Sequence, residues 1–171
     1  MARNQKIRIQ HYLSPCGELV LGSLGDKLCL CNWVKEKHPG RVDQRLQTGL
    51  KAGYEEGASD VLQEAIGQLE AYFRRERVAF DIPLLTIGTA FQMRVWRALQ
   101  EIPYGQTCSY GELAMRIGCP KAVRAVANAN GANAISIFIP CHRIIGSDRS
   151  LTGYGGGLEA KRYLLELETM K

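Results

Sequence analysis

Apolar and polar positions keep two different rhythms along this chain. In Lys6–Leu13, Ile7, Ile9 and His11 alternate with polar residues, the period of a half-buried strand. Ser14-Pro15-Cys16-Gly17 follows as turn chemistry. Glu18–Leu24 and Lys27–Trp33 are two more strands, joined by a hairpin at Gly25-Asp26. Residues 34–57 are charged, contain glycines and hold neither rhythm, so a mobile loop is expected there. From Ser59 or Asp60 to Arg75 the rhythm becomes helical. Val61, Leu62, Ala65, Ile66, Leu69, Tyr72 and Phe73 form one apolar stripe, with Ser59 or Asp60 as the cap. Phe80–Leu85 contains Pro83 and reads as an edge strand or a linker.

Beyond that point the pattern is mainly helical, which predicts a division into residues 1–84 and 85–171. Thr89 caps a helix carrying Phe91, Val95, Trp96 and Leu99, which stops before Pro103. Ser109 caps Tyr110–Ile117, with Glu112 three residues on as a capping box. Gly118-Cys119-Pro120 breaks that helix, and Lys121–Asn130 is the next. Helix, short turn, helix is the helix-turn-helix pattern, shared with plain helical hairpins. The second helix is unlike a major-groove reader, which carries long polar side chains. Here Arg124 stands among Ala125, Ala127, Asn128, Ala129 and Asn130, so the helix suits close approach to a narrow groove. The last helix starts near Leu158 and places Leu164, Leu165 and Leu167 on its apolar side.

Ile135–Ile145 is the segment with chemistry. Its β-branched residues predict a buried strand, and Pro140 should break pairing there. Cys141, His142 and Arg143 follow directly. A buried cysteine is ordinary packing in most proteins. A base and a positive field beside it would lower its pKa from about 8.5 and make it a nucleophile. On an extended chain, adjacent Cys141 and His142 point to opposite faces. Their cooperation therefore requires a turn at Pro140 or a bridging water.

The 171 residues are 46% hydrophobic and 23% charged, which fits one or two globular domains. Residues 1–86 hold 12 basic and 11 acidic residues, and residues 87–171 hold 10 and 6. The second half therefore carries most of the net +5, which suits a polyanion partner. No apolar run approaches a membrane span and no secretory leader opens the chain. Six cysteines without a regular framework suit a reducing, cytoplasmic setting.

Phe91-Gln92-x-x-Val-Trp, Ile-Pro-Tyr-Gly-Gln-Thr, Ser-Tyr-Gly-Glu-Leu-Ala, Ile-Pro-Cys-His-Arg and Gly-Tyr-Gly-Gly-Gly occur in this order. Together they resemble the O6-alkylguanine-DNA alkyltransferases, from Phe91 to Glu168. The resemblance implies a small α/β N-terminal domain of ribonuclease-H-like type, an antiparallel sheet plus a helix. A mainly α, winged-helix-like domain with the helix-turn-helix would follow. It implies transfer of the alkyl group of O6-alkylguanine, with O4-alkylthymine a further substrate, to the protein's own cysteine in a single turnover.

By the same resemblance Cys141 is the acceptor, His142 activates it through a water, and Glu168 orients the imidazole. Tyr110 donates a proton to the departing guanine, and Asn133 links the recognition helix to the site. Arg124 fills the gap left by the flipped base, with Ser109, Lys121, Ala125 and Asn128 at the DNA. Backbone groups of Cys141, Ile144 and Gly155 read the base edge. Tyr154 walls the pocket, and Asn130 stands where some relatives have a larger apolar residue. Ser136 stands where some have proline.

The partner implied is double-stranded DNA, met by a monomer. Zinc-holding relatives suggest Cys16, Cys29, Cys31, His11 and His38 as ligands, but Leu24 stands at a position that is cysteine in that form. Cys29 and Cys31 share a strand face without any metal, so no cofactor is expected. A sensor of alkylated DNA and a Cys-His thiol hydrolase are the alternatives. The adjacency of Cys141 and His142 argues against the hydrolase.

Overall fold

A computed structural model of the chain describes residues 5–36 and 39–170. The alternating segments form a meander of β1 (Lys6–Ser14), β2 (Gly17–Leu24) and β3 (Lys27–Trp33), paired antiparallel. The segment expected to be a loop instead folds as α1 (Arg41–Leu50) and β4 (Gly53–Glu56). β4 pairs parallel to β1, so the sheet is mixed, ordered β3-β2-β1-β4, and not purely antiparallel. The signal was weak for a physical reason. α1 buries only Val42 and Leu46 and lacks a side-chain cap, and β4 is half exposed. The two are joined by Tyr54, whose hydroxyl donates to Asp43 at 2.6 Å.

The apolar stripe of α2 (Asp60–Phe73) packs on β1, β2 and β3, with Ser59 accepting from the Leu62 N–H as N-cap. α2 ends two residues earlier than expected, in a Schellman motif closed by Arg75 at φ 64°. The outer edge of β3 is not left open. Leu28 exchanges backbone hydrogen bonds with Pro83 and Leu85, and Cys31 does so with Ala134 and Ser136. Phe80–Leu85 is thus a linker laid along β3, and the 134–136 segment docks beside it. The covered edge both removes a pairing hazard and fixes the second half of the chain against the first.

In that second half α3 (Ala90–Leu99) and α4 (Tyr110–Arg116) begin with the capping boxes of Thr89/Gln92 and Ser109/Glu112. α5 (Val123–Gly131) starts two residues later than expected, so Lys121 precedes it. Trp96 holds α3 to α5 by donating from Nε1 to the Ala129 carbonyl at 2.8 Å. β5 (Cys108–Ser109) pairs parallel with β6 (Ile144–Ile145), which brings the start of α4 beside the cysteine segment. α6 (Leu158–Thr169) closes the domain, burying Ala160, Lys161, Leu164, Leu167 and Glu168.

Candidate active site

The predicted strand before Pro140 does not form. Ile135 and Ser136 make only isolated bridges, and Ile137 takes φ 72° at the centre of a γ-turn closed by the Phe138 N–H on the Ser136 carbonyl. A β-branched residue at positive φ is strained. Pro140, at φ −80° and ψ 65°, centres a second such turn, with the Cys141 N–H on the Ile139 carbonyl at 2.7 Å. The apolar run signalled burial correctly and conformation wrongly. Cys141, His142 and Arg143 then form one turn of 3-10 helix, all buried.

Asn133 braces this turn. Its Oδ1 accepts from the Ile135 N–H at 3.0 Å, and its Nδ2 donates to the Ile139 carbonyl at 2.9 Å and to Cys141 Sγ at 3.2 Å. Burial pushes the thiol up from its ordinary value, against the Asn133 hydrogen bond and the charge of Lys161, which pull it down. The charge that acts on the sulfur is therefore that of Lys161 on α6, and not that of the nearby Arg143. Lys161 is fully buried, donates to the Thr152 carbonyl at 2.7 Å and titrates at about 8, because burial disfavours its charge.

Arg143 turns the other way, to Glu168. Nε meets Oε1 at 2.8 Å and Nη2 meets Oε2 at 3.0 Å, a bidentate pair, while Nη1 donates to the Ile102 carbonyl. His142 Nε2 lies 2.7 Å from Glu168 Oε2. Burial alone would raise the Glu168 carboxyl, but donors from His142 and Arg143 outweigh it and hold it well below the usual carboxylate range. An ionised Oε2 accepts, so Nε2 carries the hydrogen and Nδ1 presents its lone pair. Nδ1 is buried and has no hydrogen-bond partner among the described residues. Burial also pushes the imidazole below its ordinary value and keeps it neutral. The result is a neutral base, oriented by a carboxylate, next in sequence to a thiol.

Tyr154 is buried, with its ring 5.8 Å from that of Trp33 on β3 and its hydroxyl without a partner among the described residues. Its loop, residues 153–157, lines a cavity of about 410 Å³ together with Leu158, Lys35 and Glu36. Cys141 is 5% exposed and does not line that cavity. Tyr110 is partly exposed, its hydroxyl 3.4 Å from the Thr152 carbonyl.

The ribonuclease-like domain model of 6-O-methylguanine DNA methyltransferase matches residues 7–86, and the DNA binding domain model of the same protein matches residues 90–170. The chain belongs to this methyltransferase family. The methylated-DNA–protein-cysteine methyltransferase of Haemophilus influenzae is 48% identical over 159 residues, 92% of this chain and 84% of that protein. That of Methanosarcina acetivorans is 45% identical over 155 residues, 91% and 94% of the two chains. The crystal structure of Mycobacterium tuberculosis OGT in complex with DNA matches with a TM-score of 0.81 at 44% identity, covering 95% of this chain and 92% of that one.

On this methyltransferase fold, Lys121, Arg124, Ala125 and Asn128 lie together on the exposed side of α5 and its approach, whereas Asn130 is buried. Ser109 is engaged in capping α4. Ile144 is buried in β6, and its N–H bonds to the Cys141 carbonyl, while Gly155 is exposed. Of the zinc candidates, His38 lies outside the described residues. Cys29 donates to the Gly22 carbonyl, and His11 faces Glu18. Among the described residues no three His, Cys, Asp or Glu side chains converge as a metal site, and no helix is long and apolar enough to cross a membrane. Sequence reasoning missed Lys161 and Tyr72. Lys161 had a signal, since it shares the apolar face of α6 with Leu164 and Glu168.

Proposed function

We propose that this chain repairs alkylated DNA by moving the alkyl group of O6-alkylguanine onto Cys141 Sγ. The observation that carries the reading is the Glu168–His142 pair, its Nδ1 without a partner among the described residues, next in sequence to a thiol held by Asn133. The thiol proton passes through a water to Nδ1, and the thiolate attacks the alkyl carbon. The carbon–O6 bond breaks, and its electron pair leaves with guanine, which Tyr110 protonates. Glu168 stabilises the imidazolium, and Arg143 holds Glu168 in place. The thioether is stable, so each molecule reacts once.

A base must leave the duplex before a thiol can reach it. Arg124, exposed on α5, fills the gap, with Lys121, Ala125, Asn128 and Ser109 at the DNA. Tyr154, Ile144, Gly155 and Asn130 form the base pocket. Residues 1–84 act as the scaffold domain and 85–171 as the reacting domain, in a monomer of the cytoplasm, or of the nucleus in a eukaryote. Intact-mass spectrometry after mixing with duplex containing O6-methylguanine tests this. One added methyl on the Cys141 peptide is expected. An unchanged mass with retained binding would leave only a sensor of damage, and product in excess of protein would indicate a hydrolase.

A further inference from the structure

Glu168 has a donor from the other domain. The Tyr72 hydroxyl, on α2, donates to Oε2 at 2.6 Å across 96 residues of sequence. Tyr72 is 0% exposed and Glu168 5%, so no water competes for this bond. Oε2 therefore takes three donors, from Tyr72, His142 Nε2 and Arg143 Nη2. Oε1 takes Arg143 Nε at 2.8 Å and the Gly105 N–H at 3.4 Å. An ionised carboxylate offers about four lone-pair sites, so every acceptor direction is occupied and the carboxylate cannot rotate away from His142. The ring that carries the hydroxyl is itself fixed. Its centroid lies 5.2 Å from Phe73, 5.4 Å from Phe80 and 6.2 Å from Tyr104.

We propose that Tyr72 is a positioning residue for alkyl transfer, through which the ribonuclease-like domain holds Glu168 in register with His142. The inference rests on the function proposed above and extends it to the N-terminal domain. That domain does more than scaffold the turn at β3. It supplies one of the hydrogen bonds that decide where the Glu168 charge sits when His142 accepts the thiol proton. Three donors sharing Oε2 also spread its charge, so the Tyr72 bond tempers how strongly Glu168 raises the basicity of the imidazole. Losing the hydroxyl should leave a more basic imidazole on a less ordered carboxylate.

Tyr72→Phe tests this, because the ring and its aromatic neighbours stay while the donor goes. The probe is free O6-benzylguanine, which needs no DNA binding, and the readout is the rate constant for benzylation of Cys141 by intact mass. A fall of about tenfold is expected, the lower end of what loss of an outer hydrogen-bond partner costs at metal-bound histidines. The limb of the pH–rate profile governed by His142 should move to higher pH. Affinity for undamaged duplex should be unchanged. A rate and profile equal to wild type would overturn the role. So would a slower rate with an unmoved profile, since a purely structural effect has that form. If wild type takes up no benzyl group, the same rate and profile are read with O6-methylguanine in duplex; no transfer from either substrate fails the functional reading, and the proposal with it.

Discussion

The indole of Trp33 lies so close over Gly156 that a β-carbon at position 156 would sit 2.5 Å from Cδ2 and 2.6 Å from Cε2. Contacts that short do not survive, and the neighbour here is the rigid centre of a buried ring on β3, not a flexible tip. The glycine is therefore required by close approach, and the 153–157 loop that carries Tyr154 is seated on the N-terminal domain.

Gly156→Ala should consequently lift this loop or displace Trp33, at the roughly 1–3 kcal/mol typical of overpacking. Thermal denaturation should show the loss, and benzylation by O6-benzylguanine should slow as Tyr154 moves. In a Trp33→Leu background the same alanine should cost less, a coupling that a double-mutant cycle isolates. Strict additivity of the two changes would contradict the contact.

Much of this arrangement could be read from the residues alone, and the exceptions have causes. The meander, α2 and the capping boxes of α3 and α4 each carry a local signature, periodicity or a cap, that tertiary packing reinforces. α1 and β4 bury too little to leave one. At Ile135–Ile139 the composition reports burial, but the backbone obeys Asn133 and the docking of 134–136 on β3, which no local pattern encodes. For the same reason the closeness of Arg143 to Cys141 in sequence does not say which cation acts on the sulfur. The partner of Arg143, Glu168, lies 25 residues away, and the cation that acts on the sulfur comes from α6. Cys141, His142 and Glu168 were identifiable by resemblance, whereas the hydroxyl of Tyr72 was visible only as part of an apolar stripe.

Lys161 makes a prediction about reactivity. Its charge pulls the Cys141 thiol down, and that charge is lost as pH rises through about 8. Lys161→Met should therefore move the pH dependence of Cys141 alkylation by iodoacetamide to higher pH, with the largest rate deficit below pH 8. Asn133→Ala removes the hydrogen bond to the sulfur and should shift the profile the same way. Peptide mass spectrometry resolves Cys141 from the other cysteines. A Lys161→Met profile coincident with wild type would show that the amine does not act on the sulfur.

The Glu168 network also predicts how stability depends on pH. Its carboxyl is held below the ordinary value, so the stabilisation is present above the unfolded pKa of about 4.3 and is lost as pH falls through the folded one. His142 is kept neutral, so below about 6.5 the unfolded chain binds the extra proton. Both groups make stability fall with acid. Glu168→Gln should be less stable at pH 7, by an amount comparable to the ~3–5 kcal/mol for breaking a buried pair. Its stability should also change less between about pH 4.5 and 2.5, below the unfolded carboxyl value. Urea denaturation of both proteins across that range measures it, and parallel curves would rule out Glu168 as the titrating group.

Arg124 separates recognition of duplex from chemistry at the sulfur. It is exposed on α5, next to Lys121, Ala125 and Asn128, whereas Cys141 is buried. Unstacking a base costs a few kcal/mol, and a side chain that occupies the gap offsets part of that. Arg124→Ala should therefore slow methyl transfer from O6-methylguanine in duplex by about tenfold, worth about 1.4 kcal/mol. Reaction with free O6-benzylguanine should stay within about twofold, because no base has to be extruded. If Arg124 also neutralises one phosphate, the slope of log affinity against log salt should fall by about one. Quench assays on the two substrates, at two salt concentrations, decide the matter. Equal slowing of both would place Arg124 in the structure of α5 and not in extrusion.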